Sequence, residues 1–283
     1  MPSAKRILKG ILHRLFPREG SYNLVRILAG PASGVRMKLD IREGGSYLTG
    51  QYDRWIFDRV RLERLVRPGM VAWDCGAFYG YYASVFRKLV GEEGRVEIFE
   101  ASRMNHAVVS TLPALNGWRN VHVHKLAIGP DHSVIRFTSN LGGSSGPYGL
   151  DKDYGAASAT LELEDVTCCG VDELIGERGI AVPDIIKFDL ETAEIHALHN
   201  GAGLFNGRRP LMLLELHGHE SMRAAGDFLQ AYRYRAYSVW QLDMPRRSLF
   251  TDRASLEAFG SVPHMLFCHP AEEAARIDAI YPV

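Results

Sequence analysis

The sequence predicts an α/β fold: a mostly parallel seven-stranded sheet with helices on both faces, preceded by an N-terminal helix and a β-hairpin. Three observations carry this reading. From residue 71 onward, short apolar runs alternate with stretches of helical periodicity, the order that builds a parallel sheet covered on both sides. The first run, Met70-Val71-Ala72-Trp73, leads through Asp74-Cys75-Gly76-Ala77-Phe78-Tyr79-Gly80 into a helical pattern at Tyr81-Tyr82-Ala83-Ser84-Val85-Phe86. A second run, Arg95-Val96-Glu97-Ile98-Phe99, ends in Glu100, about twenty residues past the glycine turn, where dinucleotide-binding folds grip a ribose diol.

The elements follow in order. Ile7, Leu8, Ile11, Leu12, Leu15 and Phe16 recur at helical spacing among basic residues, and Pro17 ends the run. Charges interrupt the apolar residues, so this is no signal peptide. Two readings stay open: packing on the body of the domain or on a second subunit, which would make a homodimer, and weak contact with an anionic membrane surface. Packing is the reading preferred here. Val25-Arg26-Ile27-Leu28 and Val35-Arg36-Met37-Lys38-Leu39 flank Gly30-Pro31-Ala32-Ser33-Gly34, which reads as a hairpin. Residues 1–50 are thus expected to form an appendage to a domain spanning 51–283. That domain opens with a helix over 51–66, stopped by Arg67-Pro68-Gly69.

Strands are then expected at 71–75, 95–100, 121–127, 185–189, 211–216, 236–242 and 264–268. Helices are expected at 80–90, 102–115, 171–178, 193–201 and 221–232. Residues 139–158 break the rhythm, being rich in Gly and Ser without periodicity. Loops of that length are lids, binding loops or spacers, and a lid carrying Tyr148 and Tyr154 is expected. The flanking runs Val134-Ile135-Arg136-Phe137 and Leu161-Glu162-Leu163 would pair as an inserted hairpin.

Composition excludes several classes. Lys+Arg and Asp+Glu balance at 33 each, so nothing pulls the chain toward nucleic acid. The four cysteines, Cys75, Cys168, Cys169 and Cys268, match no zinc spacing and suit a reduced, cytoplasmic setting. No apolar run is long enough to span a bilayer.

The glycine turn discriminates between ligands. A dinucleotide fingerprint needs three glycines so that a pyrophosphate can approach the helix. Here the third is missing and Asp74 precedes the turn, which repels a pyrophosphate but suits an ammonium. S-adenosylmethionine has a ribose, an ammonium and a sulfonium, and no phosphate.

Several ordered motifs then resemble one family. Gly50-Gln51-Tyr52-Asp53, the loop Asp74 to Tyr82, Phe99-Glu100-Ala101-Ser102-Arg103-Met104-Asn105, Ile185-Ile186-Lys187-Phe188-Asp189-Leu190-Glu191-Thr192-Ala193-Glu194, Arg209-Pro210 and Leu214-Glu215-Leu216-His217 are similar to segments of FkbM-type methyltransferases. That family is a branch of the Rossmann-like class I enzymes that use S-adenosylmethionine. The resemblance runs from about residue 45 to residue 268. Phe78 stands where the family usually has Asn, and Thr192 where it usually has Gly. The resemblance implies methyl transfer, usually to oxygen, on sugars, polyketides and related natural products. The expected reaction is O-methylation of a sugar, a glycan or a glycosylated natural product. N-methylation, a lipid or polyketide acceptor, and a non-catalytic cofactor-binding module remain the alternatives.

The expected cofactor set is Tyr52, Asp74, Gly76, Ala77, Phe78, Gly80, Tyr81, Glu100, Ala101, Ala127 and Asp189. An alcohol acceptor must lose its proton as it attacks, so a base is expected beside the cofactor. Asp189, closing an apolar strand, is the first candidate, with Lys187 on the same side by period two. His217 is the second, its imidazole titrating near neutral pH. Glu191 lies just beyond Asp189, and Glu191 and Glu194 also suit a helix start. Asp189, Glu191, His217 and His219 are plausible ligand types, but no spacing is diagnostic of a metal, so no metal site is assigned from sequence.

Overall fold

The computed structural model describes residues 22–40, 44–130, 132–139, 146–147 and 162–282. The N-terminal helix and most of the loop over 139–158, including Tyr148 and Tyr154, lie outside the described residues. Among the described residues, no helix is long and apolar enough to cross a membrane.

Strands β1 (Tyr22–Arg26) and β2 (Arg36–Asp40) form the expected antiparallel hairpin. Its residues Ile27, Met37 and Leu39 are buried in the same core as Tyr81 and Phe86. The main sheet holds β3 (Val71–Cys75), β4 (Arg95–Phe99), β5 (Val121–His124), β10 (Ile185–Phe188), β11 (Leu211–Glu215), β12 (Tyr234–Ser238), β13 (Leu249–Phe250) and β14 (Met265–Pro270). Their order is β13-β12-β14-β11-β10-β3-β4-β5. The five strands from β5 to β11 pair in parallel, while β14, β12 and β13 pair antiparallel at one edge. Among the described residues the sheet therefore has eight strands, not the expected seven. The extra one, β13, is only two residues long and carries too little periodicity to be read from sequence.

Side chains alternate across the sheet with period two. On β10 and β11, Ile185, Leu211 and Leu213 face the core beneath the helix Tyr81–Val90, while Ile186, Phe188, Met212 and Leu214 face the helices Glu194–His199 and His219–Ala231. Both faces are apolar because both are covered. Wholly buried rings such as Phe99 and Phe188 each contribute about 2–3 kcal/mol of burial.

Four expected elements break, the simplest being the strand over 236–242, which ends at Ser238 and passes into a 3-10 turn over Val239–Gln241. The helix over 102–115 is two helices, Arg103–Val109 and Leu112–Asn116, because Pro113 has no N–H to continue the first and sits well at the start of the second. The helix over 51–66 splits at Arg61, which adopts φ +52° between Arg54–Val60 and Leu62–Leu65. The strand over 121–127 stops at His124, and β6 (Ala127–Ile128) leaves for a second sheet. That sheet has the order β6-β9-β7-β8, from β7 (Ser133–Ser139), β8 (Gly146–Pro147) and β9 (Glu162–Cys169). The antiparallel pair β7·β9 is the inserted hairpin expected from sequence.

The chain runs from β3 outward to β4 and β5, then returns to β10 on the other side of β3. This reversal opens a crevice at the C-terminal ends of β3, β4, β10 and β11, the place where open α/β sheets bind ligands.

Candidate active site

The crevice is a pocket of about 630 Å³. At one end Gly76, Phe78, Glu100, Ala101 and Asn105 line it, and Leu126, Ala127, Ile128 and Phe137 form an apolar wall. The second sheet supplies Ala127, Ile128 and Phe137 of that wall. Gly76 holds φ +79°, and a Cβ built on it would overlap the carbonyl oxygen of Asp189. Here the ends of β3 and β10 approach so closely that only glycine fits. Phe78 also takes a left-handed backbone, φ +52°, a turn that asparagine adopts more readily than phenylalanine.

Glu100 is buried at the tip of β4, where it accepts from the backbone N–H of Phe78 at 2.8 Å and of Ser102 at 2.9 Å. Burial pushes its carboxyl up to about 7 against those two bonds. Asn105 Oδ1 nearby is buried without a hydrogen-bond partner. A carboxylate and an amide oxygen beside an apolar wall fit a ribose diol and an adenine ring. Ribose hydroxyls donate to the ionised form, so cofactor affinity is expected to fall as pH drops through about 7. Titration calorimetry with S-adenosylmethionine on either side of that pH checks this, and Glu100→Gln should flatten the dependence. A wild-type affinity independent of pH would separate Glu100 from the diol.

The other end of the pocket is acidic. Asp53, Asp189, Glu191 and Glu215 line it, with His264 at the rim. Lys187, buried on β10, donates to Asp189 Oδ2 at 3.0 Å and lies 4.0 Å from Asp74 Oδ1. Its ammonium also sits 4.9 Å from the centre of the Tyr82 ring, a further cation–π attraction. Burial raises the Asp189 carboxyl, but the Lys187 ammonium outweighs this and holds it below the usual range. Glu215 goes the other way: burial and the neighbouring Asp189 charge raise its carboxyl well above the usual range.

His217 closes this end. Glu194 Oε1 accepts from its Nδ1 at 3.1 Å, from its backbone N–H at 3.2 Å and from Ser221 Oγ at 2.7 Å. Burial opposes the imidazolium, yet the Glu194 carboxylate and the nearby Glu191 and Asp189 raise the His217 pKa overall. Glu194 begins a helix, as the sequence implied, but its side chain crosses to His217 instead of capping its own helix. Twenty-three residues separate the two, and no local pattern links them.

Tyr52, Gly76, Phe78, Glu100, Ala101, Ala127, Asp189 and Glu191 line the pocket. Asp74, Ala77, Gly80, Tyr81, Lys187 and His217 stand behind or beside that lining. Asp74 is wholly buried and accepts from the Ala83 N–H at 2.7 Å, tying β3 to the following helix. Gly80 packs against Val109 and Leu112. Tyr81 stacks edge-on in an aromatic group with Tyr47, Tyr52 and Phe57. Sequence reasoning did not single out Asp53, Asn105, Glu194 or His264 as site residues. Asp53 and Asn105 lay inside the family-like motifs, while His264 carried no signal.

Thr192 bears on stability. It follows Glu191 in a second left-handed conformation, φ +88° after φ +51°, and its Oγ1 is buried without a hydrogen-bond partner. A β-branched residue is strained there. Thr192→Gly is expected to stabilise the fold by about 1 kcal/mol, relief of strain and of the buried hydroxyl outweighing glycine's added chain entropy. Urea melts check this; a loss of stability would show that Thr192 packing outweighs the strain.

Residues 74–236, more than half of the chain, match the model of the Methyltransferase FkbM domain. Comparison with curated proteins finds no match. Among solved structures, a methyltransferase FkbM from Methylobacillus flagellatus is 15% identical with a TM-score of 0.46, covering 81% of this chain and 54% of that one. The chain thus spans about half the length of that relative. A SAM-dependent methyltransferase from Aquifex aeolicus is 13% identical, covering 75% of this chain and 86% of that one, with a TM-score of 0.39. A SAM-dependent O-methyltransferase from Thermotoga maritima is 11% identical, covering 75% and 64% of the respective chains, also with a TM-score of 0.39.

Proposed function

The chain belongs to the FkbM family of S-adenosylmethionine-dependent methyltransferases, and from that premise we propose that it methylates a hydroxyl of a sugar, a glycan or a glycosylated natural product. The observation that carries the acceptor class is the rim of the acidic end. Trp240 is 57% exposed, its ring is 5.6 Å from that of Trp55, and Trp55 in turn lies 6.0 Å from His264. At this end Tyr52 adds an aromatic ring to the pocket lining itself, and an aromatic face beside the carboxylates of Asp53 and Glu215 matches a polyol, which offers an apolar ring face and several hydroxyl donors.

S-adenosylmethionine, when bound, supplies a methyl group already activated on a sulfonium. The residues of the chain then have three tasks. Gly76, Phe78, Glu100 and Asn105 would hold the nucleoside, and the wall of Leu126, Ala127 and Ile128 would exclude water from it. Asp53 and the aromatic rim would orient the acceptor, since alignment supplies much of the acceleration in a displacement of this kind. The hydroxyl proton passes to Glu215. Asp189 is the weaker base of the two, because Lys187 stabilises its ionised form. Glu215 faces the pocket with a raised pKa, as a general base requires near neutral pH.

Turnover is therefore expected to rise with pH as Glu215 loses its proton. Glu215→Gln should lower turnover by roughly 10²–10⁴-fold, remove that rise, and leave S-adenosylmethionine binding in place. Transfer of labelled methyl groups to a panel of methyl glycosides and amines, read by mass spectrometry, tests the acceptor class. Label on nitrogen alone would replace the hydroxyl reading with N-methylation. Full turnover in Glu215→Gln would move the base elsewhere.

A further inference from the structure

We propose that Asp189, Glu215 and His217 bind a divalent cation of the Mn²⁺ or Mg²⁺ class at the acidic end of the pocket. The methyltransferase reading gives this ion its place beside the acceptor, but its binding can be measured without cofactor or acceptor.

The three residues each present a ligand atom, and these atoms all lie within 4.8 Å of one another. His217 Nε2 lies 3.6 Å from Asp189 Oδ1 and 3.7 Å from Glu215 Oε1, with Glu191 Oε2 at 3.8 Å. These separations are too long for hydrogen bonds. Ligands about 2.1 Å from one ion stand roughly 3.0–3.4 Å apart, so a contraction of about half an ångström would bring His217 Nε2 to ligand spacing from each of the two carboxylates.

A separate observation concerns the ring orientation. Glu194, outside the ligand set and wholly buried, accepts a hydrogen bond from the Nδ1–H of His217 and another from Ser221 Oγ. Metal-ligating histidines are oriented in this manner, the second nitrogen donating to a carboxylate. With Nδ1 protonated, Nε2 turns a lone pair toward carboxylate oxygens, an arrangement that needs a proton or a cation between them. Asp189 is divided likewise: Oδ2 accepts from Lys187, and Oδ1 faces His217.

The charge balance points the same way. Asp53, Asp74, Asp189, Glu191, Glu194 and Glu215 meet in this region, and among the described residues the basic groups buried between them are Lys187 and His217. Two carboxylates with one imidazole suit Mn²⁺ or Mg²⁺ better than a thiolate-preferring metal. Each carboxylate uses one oxygen, so Glu215 keeps a second for the acceptor's proton; a bound cation holds Glu215 ionised at neutral pH, so the rise of turnover with pH is the expectation for the cation-free protein. The other cluster of ligand types, His132, Cys169 and Glu173, lacks this setting: His132 is 69% exposed and already meets Glu173 at 2.8 Å.

The test titrates the full chain with MnCl₂ alone, followed by calorimetry and by the electron paramagnetic resonance signal of free Mn²⁺. One site is expected, with a rise in melting temperature on adding MnCl₂. His217→Gln and Glu215→Gln should each weaken binding at least tenfold, Glu194→Gln by roughly 10–100-fold, and His132→Ala not at all. Circular dichroism confirms folding of each variant. An absence of binding at millimolar Mn²⁺ and Mg²⁺ would overturn the proposal, leaving His217 as a protonated partner of the carboxylates. Equal binding in wild type and His217→Gln would overturn it too. S-adenosylmethionine affinity, measured separately on the same protein, reports on the methyltransferase reading, so the two failures are distinguishable.

Discussion

Gly76→Ala is expected to destabilise the domain by about 3 kcal/mol and to abolish S-adenosylmethionine binding. Two effects add. Gly76 holds φ +79°, which costs an L side chain on the order of 1 kcal/mol. The new Cβ would also overlap the Asp189 carbonyl, and overpacking against backbone costs about 1–3 kcal/mol more. Relief requires β3 and β10 to move apart, which displaces Asp189 and the loop that carries Phe78. Gly69 is the control, since it holds φ +86° and a Cβ added there would meet nothing within 4 Å. Gly69→Ala should show the backbone cost alone, about 1 kcal/mol, with cofactor binding intact. Urea melts and calorimetry on both variants make the comparison. If Gly76→Ala is no worse than Gly69→Ala, the close approach of the two strands does not govern the site.

Lys187→Met is expected to cost about 3–5 kcal/mol at neutral pH, the range for removing one partner of a buried ion pair. Lys187 is 3% exposed and serves Asp189 Oδ2 at 3.0 Å, Asp74 Oδ1 at 4.0 Å and the Gly76 carbonyl at 3.4 Å. Methionine keeps the apolar stem over Tyr82 and leaves the buried carboxylates without their cation. The pH dependence follows from the two shifts. The Asp189 carboxyl is lowered in the folded protein, so its stabilising contribution is present above the unfolded value and is lost as pH falls through the folded one. The Asp74 carboxyl is raised, chiefly by burial with Lys187 opposing, so its ionisation works against folding as pH rises through that value. Without Lys187 both carboxyls move up, and the deficit of the variant should shrink as pH falls and they take up protons. A variant as stable as wild type at neutral pH would show that the carboxylates are compensated elsewhere.

Local signals carried much of this protein. The run Val71–Cys75, the glycine turn and the helix Tyr81–Val90 stand where periodicity put them, because strand, turn and helix are backbone preferences of neighbouring residues. Glu100 could be singled out for the same reason, as the acid that ends the next strand. Elements failed where a break depends on one residue inside an otherwise good pattern, as at Arg61 and Pro113. Strand β13 failed because two residues hold no period.

The sequence by itself determined the order of the elements, the crevice at the strand ends and the residue types gathered there. Only the tertiary structure decided which of them meet. Asp74 looked like a ligand for an ammonium, yet β3 buries it against Ala83 and Lys187. The segment around Ala127 read as the end of a core strand, yet it leaves the main sheet and walls the pocket from a second one. Glu194 read as a helix-start acid, yet it orients His217 across a gap of 23 residues. The physical reason is common to all three. Periodicity and turn chemistry act between neighbours in the chain, whereas desolvation, ion pairing and the aim of an imidazole are set by residues that only packing brings together.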